Sequence, residues 1–323
     1  RLIPRLAQIA PKPRLGLWQE PNAKGTTMNE VATLRPMIPA TTGEGDTLPH
    51  NIEAEQQLLG AILTNNDVYD RIASLVKPEH FFDPVHQRIF ERAAARKRLL
   101  YGRYLGWAEG TLRYPHGIVG SAGEAAVRSA ILEAGTLIPE TAGAGEVSRI
   151  LGVQLPGAAD SGGHFLSRDA HGNPDDIVTA LVEVKNVRDW IYPRSERVYQ
   201  VLYKAAIVQR ANPDRYIVPI LIVRAAAKVT FFLAKMLGFF VIDMRTQYVG
   251  RITEPSLIEE VRNELHFLDL RMVEGADRRV LERFRTLPRH VKNYAMVWDS
   301  TVENDETVEL FEVLRKDEIS AAD

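Results

Sequence analysis

The chain of 323 residues contains no cysteine. Disulfides and thiolate metal sites are therefore excluded, and the composition fits a reducing compartment. It also lacks an unbroken apolar run of about 18 residues, the length that reads as a membrane span; the longest candidate, residues 229–242, is interrupted. A dominant charge is missing too: 40 basic and 42 acidic residues leave a formal charge of -2. That excludes a global positive field of the histone type, so any nucleic-acid surface must be local. No G-x-x-x-x-G-K-[ST] loop occurs to cradle ATP phosphates. His164 and His171 flank Asp169 in a glycine-rich stretch without zinc-motif spacing, and read as a solvated loop. What is present is 45% hydrophobic residues, enough to fill two cores, in a chain expected to be soluble and cytoplasmic.

Residues 1–47 combine Arg1, Arg5, Lys12 and Arg14 with Pro4, Pro11 and Pro13, then turn Pro-, Thr- and Gly-rich. They read as a disordered basic arm and linker, with Met28 an equally good start. Residues 49–63 have helix chemistry: Glu53 and Glu55 suit the first turns, and Ile52, Leu58, Leu59, Ile62 and Leu63 form an apolar stripe. Asn66 or Asp67 caps a second helix to about residue 76, and Pro84 opens a third. The unit 48–96 is thus expected to be all-helical. Residues 97–119 are basic and aromatic, with Arg98, Tyr101, Arg103, Tyr104, Trp107, Arg113 and Tyr114. Such interleaving suits phosphate contact and base stacking, but a junction whose aromatics pack on the next domain is the favoured reading.

In residues 120–250 the pattern predicts a helix at 123–134, a strand at 177–185 with a turn or bulge at Thr179-Ala180, and a helix at 195–209. A buried strand at 216–224, a helix at 225–237 stopped by Gly238 and a strand at 239–244 follow. Alternating strands and crossover helices give an α/β sheet covered on both faces. The extension 251–323 carries amphipathic helices at 256–265 and 276–284, then an acidic tail.

The chemistry centres on Glu183-Val184-Lys185. On a strand Glu183 and Lys185 project side by side while Val182 and Val184 enter the other face. If the chain folds back between Asp175-Asp176 and Glu183, two carboxylates can share a hard cation such as Mg²⁺. Asp176 is the preferred partner because it directly precedes the strand; Asp160, farther upstream, and Asp175 are the alternatives. Glu124 shares a helix face with Val127 and Ile131 and would need a partner there, either a metal or Lys185.

These residues resemble the PD-(D/E)xK nuclease superfamily over roughly residues 120–249. The resemblance implies a restriction-endonuclease-like α/β core, a central mixed sheet flanked by helices, here preceded by a small all-α module. It also implies that Asp176 and Glu183 bind Mg²⁺ or Mn²⁺, that Lys185 assists hydrolysis, and that Glu124 completes the metal site. Gln200 and Tyr203 match the Q-x-x-Y spacing that some branches carry on the next helix. Arg188, Arg194, Arg197 and Lys204 read either as holders of the DNA backbone or as a solvated face.

A second resemblance covers residues 48–95, LPHNIEAEQQLLGAILTNNDVYDRIASLVKPEHFFDPVHQRIFERAAA. This stretch is similar to the start of the N-terminal domain of DnaB-type replicative helicases. That implies a helical interaction module with a replicative helicase or primase as partner, or self-association into a homo-oligomer. The combined expectation is a Mg²⁺-dependent DNA nuclease tethered to replication, with no membrane association. A non-catalytic replication factor built on a degenerate nuclease fold, and a helicase fragment lacking its ATPase, are the alternatives.

Overall fold

The computed structural model describes residues 50–64, 66–252 and 254–316; the expected basic arm and linker and residues 317–323 of the acidic tail lie outside them. Three helices open the described chain: α1 (Ile52–Thr64), α2 (Asn66–Ile72) and α3 (Pro84–Ala108). Their apolar stripes meet in a small core of Leu59, Ile62, Phe81 and Phe90. Asp83 accepts a hydrogen bond from the Val85 amide at 2.7 Å, and Pro84 occupies the first turn, so α3 begins as the sequence predicts. Glu55 does more than complement its own helix. Its carboxylate accepts from the amides of Phe82 (2.6 Å) and Asp83 (3.3 Å) and pairs with His86 Nδ1 at 2.8 Å. Burial raises this carboxyl, but the hydrogen bonds together outweigh burial and hold it below its ordinary value.

Helix α3 runs for 25 residues, and its two halves serve different cores. In the middle, Lys97 Nζ donates to the Ile62 carbonyl at 3.1 Å and closes the three-helix unit. Beyond it Leu100, Tyr104 and Trp107 are buried with Val119, Val249, Ile258 and Leu270. Tyr104 and Trp107 therefore pack rather than present their faces to a ligand.

The second part begins with α4 (Gly120–Ala134). Then come β1 (Leu137–Pro139), β2 (Val147–Ile150), β3 (Val153–Ala159), β4 (Ser161–Arg168) and β5 (Pro174–Lys185). They are followed by α5 (Glu196–Ala211), β6 (Tyr216–Val223), α6 (Lys228–Leu237) and β7 (Phe240–Asp243). Five strands form one mixed sheet in the order β1-β4-β5-β6-β7, antiparallel from β1 to β5 and parallel from β5 to β7. The β2–β3 hairpin stands apart, as does the parallel pair β8 (Gln247–Val249) and β9 (Leu270–Met272).

The sheet separates two cores by simple alternation. Leu181, Ile217 and Leu221 face α5, whereas Val182, Val218 and Ile220 face α4 and α8 (Arg278–Thr286). After α7 (Ser256–Glu264), α8 leads to α9 (Val291–Val302) and α10 (Asp305–Leu314). An acidic tail was expected where α9 and α10 form. Trp298 and Phe311 from these helices instead complete the α5-side core, their rings stacked 5.9 Å apart.

Two further expectations change. Strand β5 is continuous through Thr179-Ala180, because both residues pair with β4 on one side and β6 on the other, which leaves no room for a turn. The helix expected from residue 225 starts at Lys228, since the preceding alanines are engaged in a bridge between Ile191 and Ala226. Pro219 is tolerated inside β6 because pairing with β7 begins only at Ile220. Among the described residues no helix is long and apolar enough to cross a membrane.

Gly238 ends α6 with φ at +80°, and a Cβ there would lie 2.2 Å from the Trp298 backbone nitrogen. Replacing it brings both left-handed strain and a clash with a backbone that cannot yield. Gly238→Ala is expected to lower stability by at least about 2 kcal/mol in urea unfolding; unchanged stability would show that α6 and α9 are not packed this closely.

Candidate active site

The register of the β4–β5 pair builds the site. Ser161 lies opposite Val182, so Asp160, one residue before β4, comes beside Glu183 near the C-terminal end of β5. Asp160 Oδ2 accepts from the Val184 amide at 2.6 Å. Burial is the main cause that pushes the Asp160 carboxyl up to about 6, and the negative charge of Glu183 adds to it. The Val184 amide and Lys185 oppose that rise, while Glu124 reinforces it.

Glu183 is only 4% exposed. Its charge is matched on both oxygens: Lys185 Nζ donates to Oε1 at 2.7 Å and Lys204 Nζ to Oε2 at 2.8 Å. Lys204 rises from the buried face of α5 and also donates to the Ala158 carbonyl at 2.6 Å. The sequence leaves Lys204 as a holder of the DNA backbone or part of a solvated face; the structure buries it and pairs it with Glu183. Two lysines on one carboxylate satisfy the requirement that a buried charge be paired.

Asp176 is not part of this cluster. It sits seven residues earlier on the same strand, about 23 Å away at ordinary strand rise, where the pairing with β4 is irregular. Asp175 and Asp176 are both bound to Lys292 of α9, at 2.8 and 2.5 Å. The preference for Asp176 assumed a tight hairpin; the real antiparallel partner is β4, which selects Asp160.

Glu124 faces a cavity of about 490 Å³ whose lining includes Asp160, Lys185, Tyr101, Tyr104 and Glu109. Its ion-pair partner is Arg128, one helical turn on, at 2.9 Å, rather than Lys185. Glu183 is not among the residues that line the cavity. Among the described residues no group of three or more His, Asp or Glu side chains is placed to hold a metal ion.

The residue that sets the cavity's walls is Asn186, which the sequence reading did not single out. It is buried, its Nδ2 donates to the carbonyls of Val119 (2.6 Å) and Tyr248 (2.7 Å), and its Oδ1 accepts from the Tyr248 amide (3.0 Å). It thereby ties the end of β5 to the start of α4 and to β8. Gly123 permits this approach, since a Cβ there would lie 2.4 Å from Asn186 Cβ. An asparagine after a strand is also the commonest sort of loop residue, so sequence carried no signal of its role.

The remaining candidates scatter. Arg188 forms an ion pair with Asp269, shared with Arg224 at 2.6 Å, and lies 4.1 Å from the Phe267 ring centre. Arg197 is within 4 Å of both Asp189 and Glu196, at 3.9 and 3.7 Å. Gln200 is half-buried one turn before Lys204 on α5, and Tyr203 packs beneath Arg315 at 4.3 Å. Arg194 is exposed. His164 is not in a loop; it lies in β4, bonded to Thr179 Oγ1 at 3.1 Å and Glu140 at 3.0 Å.

Lys204 is buried and Lys185 is partly open to water, so their removal should differ. Lys204→Met is expected to cost about 3 kcal/mol, as for breaking a buried pair, against about 1 kcal/mol for Lys185→Met. Equal costs in guanidinium unfolding would show that Glu183 does not depend on the α5 lysine.

Comparison with known proteins concerns the helical unit alone. Residues 47–98 match the family described as DnaB-like helicase N terminal domain. The chain is 49% identical over 51 residues to the replicative DNA helicase DnaB of Rickettsia bellii, which covers 16% of this chain and 10% of that protein. Similarity to DnaB of Rickettsia conorii is 52% over 44 residues, 14% of this chain and 9% of the other; for Rickettsia felis it is 54% over 43 residues, 13% and 9%. The chain thus spans about a tenth of the length of the curated relatives it matches. No solved structure matches it. The similarity ends at residue 98, within α3, and residues 47–98 are similar to a DnaB N-terminal domain.

Proposed function

We propose that the α/β part is a restriction-endonuclease-like, metal-dependent DNA nuclease of PD-(D/E)xK type, and that the helical unit links it to the replication machinery. The observation that supports this most is the antiparallel register that sets Asp160 beside Glu183, with Lys185 on the same strand lining the adjoining cavity. Two carboxylates from neighbouring strands, one of them raised by burial, suit a hard divalent cation such as Mg²⁺ or Mn²⁺, and water would fill the rest of its shell. Such a cation would neutralise charge at the scissile phosphate. Lys185 would exchange its bond with Glu183 for a water or a phosphate oxygen at the cavity floor. Lys204 would keep Glu183 in place when Lys185 lets go. The helical unit, through its similarity to DnaB, suggests a replicative helicase, a primase or a second copy of the chain as partner, in the cytoplasm.

A second reading is a non-catalytic replication-associated protein. It is favoured by the lysines on both oxygens of Glu183, and by similarity to known proteins confined to residues 47–98. Cleavage of plasmid DNA with Mg²⁺ decides between the two. Asp160→Asn and Lys185→Ala should each slow cleavage at least about 100-fold, as loss of one transition-state contact does, while Asp176→Asn should leave the rate unchanged. Cleavage by Asp160→Asn at the wild-type rate would refute the nuclease site.

A further inference from the structure

The segment that follows β5 presents two large aromatic side chains to water. Trp190 is 56% and Tyr192 47% exposed, while Ile191 between them is 1% exposed. This alternation is fixed by the backbone. The Ile191 amide donates to the Ala225 carbonyl at 3.0 Å, and its own carbonyl accepts from the Ala227 amide at 3.0 Å and Thr230 Oγ1 at 2.8 Å. Tyr199 Oη donates to the Pro193 carbonyl at 2.7 Å just beyond. Two rings are therefore held outward by a loop that cannot fold them in, although burying apolar area is favourable.

The surface around them is chemically specific. A pocket of about 570 Å³ is lined by Trp190, Tyr192 and Arg194 and shares the lining residues Arg188 and Asp189 with the cavity of Asp160 and Lys185, so the two adjoin. Its carboxylates, Asp189 and Glu196, are both approached by Arg197, at 3.9 and 3.7 Å. Arg188 is committed to Asp269. Arg194 forms no ion pair among the described residues and is exposed, leaving one cation beside two flat apolar faces. Tyr101 stands exposed at the wall of the neighbouring cavity.

Flat rings beside an unpaired cation complement unstacked bases and their phosphates. A duplex hides its base faces within its own stack, so it offers little to Trp190 or Tyr192. We propose that Trp190, Tyr192 and Arg194 form a stacking platform for a single-stranded DNA segment, which leads that strand into the cavity at Lys185. This deepens the nuclease reading by naming its substrate as unpaired DNA, and rests on that reading only for what happens to the strand once delivered.

The test uses the full chain in EDTA, so that binding is measured without cleavage, with a labelled oligothymidylate and a blunt duplex as probes in fluorescence anisotropy. The oligothymidylate should bind more tightly than the duplex. Trp190→Ala combined with Tyr192→Ala should weaken it at least about 10-fold, and Trp190→Phe should retain most of the affinity, because stacking needs a ring rather than an indole. Thermal melting of the double variant should stay close to the wild type, since about half of each side chain is open to water. Equal affinity for the two probes, or an unchanged affinity in the double variant, overturns the platform. Selective binding to the single strand without cleavage in Mg²⁺ would uphold the platform and reject only the nuclease reading.

Discussion

Strand β5 is paired antiparallel to β4 as far as Val182 and parallel to β6 from Val178 to Lys185, and this constraint organises the rest. From Val178 to Val182 it is bonded on both edges and β6 holds it on to Lys185, so its alternation is carried without slip over that stretch; the irregularity in its pairing with β4 lies earlier, between Pro174 and Ile177. One set of side chains fills the core under α4 and α8; the other begins in the α5 core and ends as Glu183 and Lys185. The polar pair emerges where the apolar pattern runs out. The same pairing delivers Asp160, which directly precedes β4, because Ser161 is in register with Val182.

The sequence was informative wherever one period dominated. The helix beginning at Pro84, the helix of α5, strand β6 and the Gly238 stop were legible from capping residues, apolar stripes or a β-branched run. The strands from Leu137 to Arg168 were not, because β1 and β2 have only three and four residues and β3 and β4 are interrupted by Gly157 and by Gly162-Gly163. Missing β4 removed the neighbour of β5, and that omission made Asp176 look like the partner of Glu183. The triplet Glu183-Val184-Lys185 was legible as a pair on one face; the contributions of Lys204 and Asn186 depend on tertiary contacts from residues distant in sequence, which periodicity does not encode.

The charge of Glu183 is balanced within the cluster by two lysines. Lys185 and Lys204 neutralise Glu183, whereas Asp160 is disfavoured as an anion chiefly by burial, with the charge of Glu183 adding to it. Buried charge in this state is satisfied but not inert: the lysine at the cavity is partly open to water, and the one on α5 is not. Of the two lysines, Lys185 is the one that can exchange its bond with Glu183 for water at the lower cost.

Helix α3 has a geometric consequence of its own. Its first half belongs to the DnaB-like unit and its second half to the wall of the cavity, with Tyr104 Oη bonded to Gln247 Nε2 at 2.8 Å. The two cores are therefore in fixed rotational phase, about 100° per residue along a shared axis. One residue gained or lost near Leu100 would swing the whole three-helix unit around that axis by more than a quarter turn, dissolving the Arg96–Glu264 ion pair (3.1 Å) while leaving every residue within each core unchanged. Length between the two cores is thus constrained as tightly as composition within them.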